Sequence, residues 1–427
     1  MKRCQNELEA QEFLMTTGVK RTDTVPVTIL TGFLGLVLPA DAEDNWPSWR
    51  GSRGDGSSPD KVVPLDWSVE KNTIWKKSLP GKGHASPIVW KDHVFVVAAV
   101  EDRRVLLCLD RRSGKERWLE TVLTSPREPI HRRNSLASST PVTDGELVYV
   151  SFLDGDEMYV AAYDFWGKRR WEKRPGVFSS VHGYCSSPIL WKDKVIINGD
   201  HDGDSYIVAL EKLTGEEAWK TMRLNRTRSY CTPVIWTIEG RNQMVLSGDK
   251  TVASYDPDTG KRHWVIDGPT DQFVASLVYN GELLFMTCGF PQRHMLAIDP
   301  RGSGNVTKSH VRWRTRKDPS YVPSPASIGK YFMVVSDSGK ASCLEARTGR
   351  LVWNQRIGRE HGASAITVRG HVCFVSESGV MTVIKPGEEY AEVARNPLGE
   401  EMHASPVITR GQWLLRGEEH LFCIGAR

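Results

Sequence analysis

The chain has 427 residues, with 56 Lys and Arg against 52 Asp and Glu, for a formal charge of +4 at neutral pH. The basic residues are scattered among acidic ones, which argues against a nucleic-acid partner. Hydrophobic residues make up 40% and charged residues 25% of the chain. This composition is typical of a folded globular protein and excludes disorder for most of the sequence.

The first 42 residues have the pattern of a secretory signal peptide. A basic pair at 20–21 precedes the apolar run Val25–Leu38, and the small-residue site Ala40-Asp41-Ala42 follows it. A retained membrane anchor is the weaker alternative, because the run is short for a bilayer span. We predict cleavage after position 42, with Met15 as an alternative start. Export to the periplasm or the extracellular space follows, with no transmembrane segment in the mature chain.

The eight cysteines do not form an even set in the mature chain. Cys4 belongs to the predicted signal peptide, so seven remain and at least one thiol is unpaired in a monomer. Cys108, Cys343 and Cys423 lie in Leu-Cys-Leu, Ser-Cys-Leu and Phe-Cys-Ile, at one position of the repeat described next. We predict that these three are small buried residues in strands.

One module recurs from about residue 75 to the end of the chain. It opens with Ser-Pro or Thr-Pro at a strand start, and two copies replace the proline with another residue. Successive copies are 40 to 54 residues apart, a spacing typical of four-stranded units. The eight proline-equivalent positions are Pro87, Pro141, Pro188, Pro233, Leu277, Pro325, Ala365 and Pro406.

The second half of each module contains a strand, an acidic residue, a turn with glycine and then a tryptophan. The glycines supply the positive φ that a tight hairpin requires; they are Gly114, Gly215, Gly260 and Gly349. One large ring per module can pack between adjacent sheets. The rings are Trp75, Trp118, Trp171, Trp219, Trp264, Trp313 and Trp353, with Tyr390 as a degenerate copy.

Eight strand starts and eight closing aromatic residues predict an all-β, eight-bladed β-propeller of four-stranded antiparallel blades. The segments between them are short, β-branched or aromatic, and bounded by turn residues. We expect an N-terminal strand at 72–79 to pair with 421–424 and close the ring, which removes exposed sheet edges. The predicted domains are a signal peptide (1–42), an irregular lead-in (43–71) and the propeller (72–427).

The pattern Ala/Leu-Asp-x-x-Thr-Gly-x-x-x-Trp resembles the repeat of the pyrroloquinoline-quinone (PQQ)-like propeller family over residues 72–427. WD40 and kelch repeats fit worse, since the chain has no Trp-Asp and no Gly-Gly dipeptide. The lead-in sequence Asn45-Trp46-Pro47-Ser48-Trp49-Arg50-Gly51 resembles the opening of secreted family members from planctomycete-type bacteria.

This resemblance implies two classes of function. Quinoprotein dehydrogenases of the family hold PQQ and Ca²⁺ beside a vicinal Cys-Cys disulfide and a catalytic Asp, whereas BamB-type envelope assembly factors hold no cofactor. This chain has neither a Cys-Cys pair nor a Cys-x-x-Cys-His haem motif. It also has no cysteine after the apolar segment for the lipid anchor of the assembly factors. We therefore predict no cofactor, with PQQ and Ca²⁺ as the alternative, for which Asp271 or Asp318 would abstract a proton.

Residues that precede the innermost strands of a propeller gather around its central channel, and here they are polar. Four histidines on one rim could bind a divalent metal, and Arg and Tyr side chains could hold an anionic or planar ligand. A structural hydrogen-bonding role is the alternative for each residue, and we assign no definite metal site. The ligand-binding candidates are His84, His182, Tyr184, Arg228, Tyr230, Asp271, Tyr321, His361 and His403; Asn134, Arg226, Gln272 and Asp318 belong to the same rim.

The run Asp200-His201-Asp202-Gly203-Asp204 imitates a calcium-binding loop, with Glu211 near the distance of the last ligand. Its glycine comes before the position that a calcium loop requires and the next residues have a strand pattern, so a solvated hairpin turn is the better interpretation. The chain has no nucleophile elbow, Walker loop or zinc helix, and we assign no catalytic residue.

The sequence therefore predicts an exported, monomeric, non-catalytic propeller that binds protein partners in the cell envelope as a docking or assembly factor. Binding would use exposed loops or strand addition. A PQQ-dependent periplasmic oxidoreductase is the alternative. A carbohydrate-binding module is a third interpretation that draws only on the 15 tryptophans, most of which the repeat already uses.

Overall fold

Eight antiparallel sheets follow one another in the computed structural model, which describes residues 44–426. Each of the first seven sheets has four antiparallel strands in chain order, two of these sheets carry a short fifth strand that is parallel, and the eighth sheet combines strands from the two ends of the described chain. The predicted eight-bladed propeller of four-stranded blades is confirmed. The predicted signal peptide lies outside the described residues. No helix within residues 44–426 is long and apolar enough to cross a membrane.

The first four blades run through the N-terminal half of the repeat region. Blade 1 consists of β3 (Ile88–Trp90), β4 (His93–Val100), β5 (Arg103–Asp110) and β6 (Glu116–Thr124). Blade 2 consists of β7 (Val142–Thr143), β8 (Leu147–Asp154), β9 (Glu157–Asp164) and β10 (Arg169–Val177). Blade 3 consists of β11 (Ile189–Trp191), β12 (Lys194–Gly199), β13 (Tyr206–Glu211) and β14 (Glu217–Met222). Blade 4 consists of β15 (Val234–Ile238), β16 (Arg241–Gly248), β17 (Thr251–Tyr255) and β18 (Arg262–Asp267).

The other four blades complete the ring. Blade 5 consists of β19 (Val278–Tyr279), β20 (Leu284–Cys288), β21 (His294–Ile298) and β23 (Val311–Thr315); β22 (Gly304–Asn305) is a parallel fifth strand on blade 4. Blade 6 consists of β24 (Ala326–Ile328), β25 (Tyr331–Val335), β26 (Lys340–Glu345) and β27 (Leu351–Arg356). Blade 7 consists of β28 (Ile366–Val368), β29 (His371–Val375), β30 (Val380–Lys385) and β31 (Ala391–Pro397), joined by the parallel β1 (Ser57–Ser58). Blade 8 consists of β32 (Val407–Thr409), β33 (Gln412–Arg416), β34 (His420–Gly425) and β2 (Thr73–Ser78), which follows the single-turn helix α1 (Val69–Asn72).

The hydrophobic core lies between the faces of neighbouring blades. Middle strands such as β8 and β9 are buried along almost their whole length because a sheet covers each of their faces. Cys108, Cys343 and Cys423 lie on the third strands of their blades and are fully buried, as the repeat predicts. The seven cysteines of the described chain are all unpaired.

The repeated tryptophans join each blade to the next in one common way. The indole N–H donates a hydrogen bond of 2.7–3.2 Å to a backbone carbonyl in the outer turn of the following blade. In four of these turns the predicted glycine has φ near +70°, and a Cβ there would lie 2.5–2.6 Å from a ring carbon of the tryptophan. The glycines are therefore needed both for the turn and for the close approach of the ring. The donor–acceptor pairs are Trp75–Arg111, Trp118–Phe165, Trp171–Lys212, Trp219–Pro257, Trp264–Pro300, Trp313–Ala346 and Trp353–Gly387.

Tyr390 is not an eighth copy of this contact. Its ring packs edge-on against Trp353 of the preceding blade, with centroids 5.3 Å apart. The physical reason is the break between β34 and β2, which leaves blade 8 without an outer turn for blade 7 to contact. Trp67 of the lead-in fills this junction: it is buried, and its backbone N–H donates to the side chain of Asn396 on β31.

A second ring of contacts surrounds the channel. The Ser or Thr at each strand start is buried, and in seven cases its backbone N–H donates to the hydroxyl oxygen of the equivalent residue one blade further, at 2.9–3.1 Å. The Ser86 hydroxyl closes the ring by donating to the Ser405 carbonyl. We call this set the hydroxyl ring; its members are Ser86, Thr140, Ser187, Thr232, Ser276, Ser324, Ser364 and Ser405.

The N-terminal strand closes the propeller as predicted. β2 pairs antiparallel with β34, with Trp75 opposite Cys423 and Lys77 opposite Leu421. The outermost strand of blade 8 therefore comes from the start of the repeat region and its other three strands come from the end. This pairing leaves no gap between the first and last blades.

The tryptophan contact predicts a cost for adding one methyl group to a turn. Gly215→Ala should lower the free energy of unfolding by more than the roughly 1–2 kcal/mol that the left-handed conformation alone costs, because its Cβ would meet the Trp171 ring at 2.6 Å. Gly240→Ala is the matched control, since Gly240 has a similar φ of +77° and no atom within 4 Å of the added carbon. Urea denaturation of both variants measures the difference, and equal losses would contradict the contact's importance.

Candidate binding site in the central channel

The channel contains a cavity of about 680 Å³. Its wall is formed by the loops that precede the innermost strands and by turns between second and third strands. A cavity of this volume is in the range that holds small ligands or an inserted segment of a partner. Its lining combines histidine, arginine, tyrosine and carboxylate side chains.

The lead-in closes one side of this channel. Trp46 exchanges two backbone hydrogen bonds with Val89 of blade 1, and Arg50 donates to carbonyls at the starts of the innermost strands of blades 6 and 7. β1 then adds to the innermost strand of blade 7. Between these contacts, Trp49 lines the cavity. The channel is therefore a cup whose floor is the chain's own N-terminal segment.

Arg50 is held entirely inside this floor. Burial lowers the pKa of its guanidinium to about 10, although Asp55 acts in the opposite direction. Two carbonyls, those of Pro325 and Ala365, accept from its Nη2 at 2.6 and 3.1 Å. These bonds tie the lead-in to two adjacent blades.

Six of the nine predicted ligand-binding residues line the cavity and three do not. The lining members are His84, His182, Arg228, Tyr230, Tyr321 and His403. Tyr184 is instead buried between blades 2 and 3, Asp271 is exposed to solvent outside the wall, and His361 is 1% exposed with its Nδ1 3.1 Å from the Arg359 carbonyl. Of the other rim residues, Asn134 and Gln272 line the cavity, whereas Arg226 and Asp318 do not. Ligand binding by the lining residues stays a prediction.

His84 and His403 form a stacked pair where blade 8 meets blade 1. Their ring centroids are 4.2 Å apart. The Nε2 atoms lie 3.3 Å (His84) and 3.8 Å (His403) from Oε1 of Glu418, in the β33–β34 turn. Burial, with a smaller effect of His84, lowers the pKa of His403 to about 4. The pair therefore presents imidazole nitrogens to a carboxylate at the cavity wall.

The wall formed by blades 2 to 5 is basic and aromatic. His131 and His182 meet edge to face, with centroids 5.4 Å apart. Burial, followed by the charge of Arg228, lowers the pKa of His182. Tyr321 donates to the side chain of Gln272 at 3.2 Å, and burial raises the pKa of its phenol to about 12. This half of the wall favours anionic or aromatic groups of a ligand.

Arg133 extends over the channel to the opposite wall. Its guanidinium lies 3.5–3.6 Å from carboxylates of Asp337, Glu360 and Glu377 on blades 6 and 7 and the loop between them. Its backbone carbonyl lies 3.2 Å from Nδ1 of His84. Burial is the main cause that raises the pKa of Glu377, and Arg133 opposes it. One arginine thus holds three acidic residues in a fixed arrangement.

Asp337 and Glu377 lie in the turns after the second strands of their blades, which the prediction of rim residues did not include. Glu360 lies in the loop before blade 7, next to the predicted residue His361. Two of the turns repeat one pattern, Ser336-Asp337-Ser338-Gly339 and Ser376-Glu377-Ser378-Gly379. In both, the first Ser accepts a backbone hydrogen bond from the residue four positions later. This internal repeat was the available signal for a second set of wall residues.

The aspartate run at 200–204 binds arginines in the structure. Asp200 is fully buried in a bidentate pair with Arg223, at 2.7 and 3.0 Å. Asp202 pairs with Arg228 and Asp204 with Arg226. The segment is an arginine-braced turn, so the predicted solvated hairpin is wrong for Asp200 because this carboxylate lies in the interior.

The cavity residues do not fit a PQQ–calcium centre. Cys185 is the single cysteine on the described wall, and the sequence has no adjacent cysteine pair. The carboxylates best placed for calcium, those of Asp337, Glu360 and Glu377, already surround the guanidinium of Arg133. We assign no reaction step to this cofactor.

Removal of the bridging cation should produce a pH-dependent loss of stability. Arg133→Met leaves three carboxylates unpaired and should cost about 1–3 kcal/mol at neutral pH. Without Arg133 the pKa of Glu377 rises further, so the native variant retains a proton that the unfolded chain releases above about pH 4.5. The loss in the free energy of unfolding, relative to wild type, should therefore grow as the pH rises from 4.5 to 7.

Urea denaturation at several pH values measures this deficit. Arg132→Met is the control, because the Arg132 guanidinium has no carboxylate within 4.0 Å among residues 44–426. An equal loss in the free energy of unfolding for Arg133→Met and Arg132→Met would contradict the bridging role of Arg133. A loss for Arg133→Met that becomes smaller as the pH rises would also contradict it.

Comparison with known proteins identifies the family of this fold. A family model described as "Outer membrane protein assembly factor BamB" matches residues 57–155, 101–331 and 297–386. No curated protein sequence matches the chain.

Solved structures share the fold at low sequence identity. BamB from Moraxella catarrhalis is 11% identical, with a TM-score of 0.60 over 83% of this chain and 99% of that protein. The quinohemoprotein alcohol dehydrogenase from Comamonas testosteroni is 13% identical, with a TM-score of 0.65 over 91% of this chain and 81% of that one. A europium-containing methanol dehydrogenase is 13% identical, with a TM-score of 0.65 over 88% and 90% of the two chains. At these identities the likeness concerns the fold. Through the family match, the chain belongs to the PQQ-like β-propeller family that includes the BamB assembly factors.

Proposed function

We propose that this protein is an exported, non-catalytic docking propeller that holds a segment of a protein partner at the mouth of its central cup. The observation that carries this proposal is the cup itself. Its floor is the chain's own lead-in, its wall residues are already engaged in ion pairs and hydrogen bonds, and its basic half is bordered by exposed apolar side chains.

Those apolar side chains form a docking arc, which we define as Ile130, Val181, Leu224 and Phe290. They are exposed by 39%, 59%, 79% and 53%. Exposed apolar groups of this size in neighbouring loops are typical of protein-interaction surfaces.

Direct contacts connect the loops that carry the docking arc. His131 donates its backbone N–H to the carbonyl of His182, and Gln272 donates to Phe290. The rings of His182 and Tyr230 lie 6.2 Å apart. The loops that carry the docking arc are therefore held next to one another around the mouth of the cup.

The positive charge of the cavity wall beside the docking arc indicates which side chains a partner segment would carry. Arg228 and Arg293 line the same side of the cavity as the docking arc. Arginine beside exposed aromatic and aliphatic groups is the composition enriched at interface centres. A partner segment with apolar side chains and carboxylates fits this side. Relatives described as assembly factors support a protein partner, and the predicted signal peptide supports export.

Photo-crosslinking in the cells that produce the protein tests the docking arc. A photoreactive residue in place of Val181 should yield a discrete crosslinked protein, because this side chain faces the proposed partner. Val393 is the matched control: it is a valine exposed by 47% on the outermost strand of blade 7. An absence of crosslinks at position 181, or identical products at both positions, would contradict docking at the mouth.

The oxidoreductase alternative needs a separate test. Titration of the exported protein with PQQ, with and without Ca²⁺, should change neither absorbance nor melting temperature, since the acidic wall residues are bound to Arg133. Saturable binding with a calcium-dependent rise in melting temperature would replace our proposal with the quinoprotein interpretation.

A further inference from the structure

We propose that His84, His403 and Glu418 form a site for a divalent transition-metal ion of the zinc class, with a coordination position open to the cavity. The three residues present one ligand atom each, and these atoms all lie within 4.8 Å of one another. This inference goes beyond partner docking and does not depend on it.

The separations of the ligand atoms are close to those of tetrahedral coordination for His84 and Glu418 and wider for His403. Ligands that lie 2.0–2.1 Å from a tetrahedral zinc ion are about 3.3–3.5 Å from one another. The Nε2 of His84 is 3.3 Å and that of His403 is 3.8 Å from Oε1 of Glu418. A metal ion can therefore enter between these atoms once the stacked imidazole rings turn toward it, which closes the wider separations, at most 4.8 Å, by up to about 1.5 Å.

The hydrogen bonding of His84 prepares its Nε2 as a ligand. Its Nδ1 lies 3.2 Å from the backbone carbonyl of Arg133. A carbonyl can only accept, so the tautomer with its proton on Nδ1 keeps this hydrogen bond and leaves the Nε2 lone pair to a metal ion that enters between Nε2 and Glu418. Metal-binding histidines commonly hold their second nitrogen in this way.

The backbone around the site is fixed on both blades. The N–H of His84 donates to the Ser135 hydroxyl at 2.9 Å, and the N–H of Glu418 donates to the Glu401 carbonyl at 2.9 Å. His84 and His403 each come two residues before a member of the hydroxyl ring, Ser86 and Ser405. The ligand residues are thus held by backbone hydrogen bonds of their own loops, beside the Ser86–Ser405 contact that joins blade 8 to blade 1.

A second group of potential metal ligands lies nearby, but its carboxylate already accepts hydrogen bonds from the backbone. Glu400, Glu419 and His420 also come within metal-binding distance, but Oε2 of Glu400 accepts the backbone N–H groups of Glu419 and His420. Its Oε1 lies 2.7 Å from Nδ1 of His420. This carboxylate is occupied by the turn it stabilises, and we assign no metal to it.

Ligand chemistry selects the class of ion. Two imidazoles and one carboxylate suit Zn²⁺, Co²⁺, Ni²⁺ or Cu²⁺, whereas Ca²⁺ and Mg²⁺ prefer oxygen ligands. Glu360 and Glu377 add negative charge near the histidines, and Arg133 and Lys82 add positive charge. Among these groups Glu418 is the carboxylate placed to give the metal ion a ligand oxygen and one negative charge.

Titration with Co²⁺ tests the site, because tetrahedral Co²⁺ gives visible absorption bands that report its geometry. The full exported protein should bind one Co²⁺ saturably, and Zn²⁺ should displace it while Ca²⁺ and Mg²⁺ do not. His403→Ala and Glu418→Gln should each weaken binding at least about tenfold. Glu418→Gln keeps the shape of the side chain, so it remains informative if His403→Ala fails to fold.

The matched control is His371→Ala, which removes a histidine at the start of β29 that does not line the cavity and should leave Co²⁺ affinity unchanged. An absence of saturable binding in the wild type would overturn the proposal. Equal affinity in the wild type and Glu418→Gln would also overturn it. Crosslinking at Val181 requires no metal, so failure of this site is distinguishable from failure of the docking proposal.

Discussion

The hydrogen bond from each tryptophan indole to the outer turn of the next blade is the contact on which this propeller depends. It satisfies a buried donor, and it positions a ring of large area flat against a turn where a glycine leaves room for it. A four-stranded sheet cannot bury its own apolar faces, so the relative position of adjacent blades decides whether the core forms. The hydroxyl ring likewise joins each blade to the next by a hydrogen bond, at the channel. Each blade is therefore held both near its outer edge and beside the channel. The loops between these contacts can carry functional side chains without a change in the geometry of the ring.

These two sets of contacts explain why the fold was predictable from the sequence. Each contact places a specific residue type once per blade, so Trp171 with Gly215 and the Ser/Thr strand starts gave both the period and the number of blades. The prediction emphasised the prolines, yet Ser276 and Ser364 keep the hydroxyl where the proline is absent. The hydroxyl is the feature that all eight copies share, because seven of the hydroxyls accept a backbone hydrogen bond and the eighth, that of Ser86, donates the bond that closes the ring. Tyr390 was misinterpreted because the pattern could not show that blade 8 lacks an outer turn.

The candidate site was less predictable, for reasons of side-chain direction. Successive residues of an extended loop point to opposite sides, so Glu360 and Gly362 line the cavity while His361 between them is buried. Inside a sheet, the two-residue period of a strand predicts which side chains face inward. The period does not continue through the loops, so the sequence alone did not show which loop residues face the cavity. Arg133 was missed for another reason: its three acidic partners come from blades 6 and 7, far away in the sequence. Only the closed ring brings them together.

The pairing of β2 with β34 has a consequence for the order of folding. Contacts within a blade are local, so single blades can form as soon as their four strands are available. The eighth blade requires the first strand of the repeat region and the last three, so the ring cannot close before the whole chain is present. The lead-in contacts blades 1, 6 and 7 at once, and it can take its final position only when those blades are assembled. The cup therefore acquires its floor and its wall in the last step of folding, and a partially synthesised chain presents no binding site.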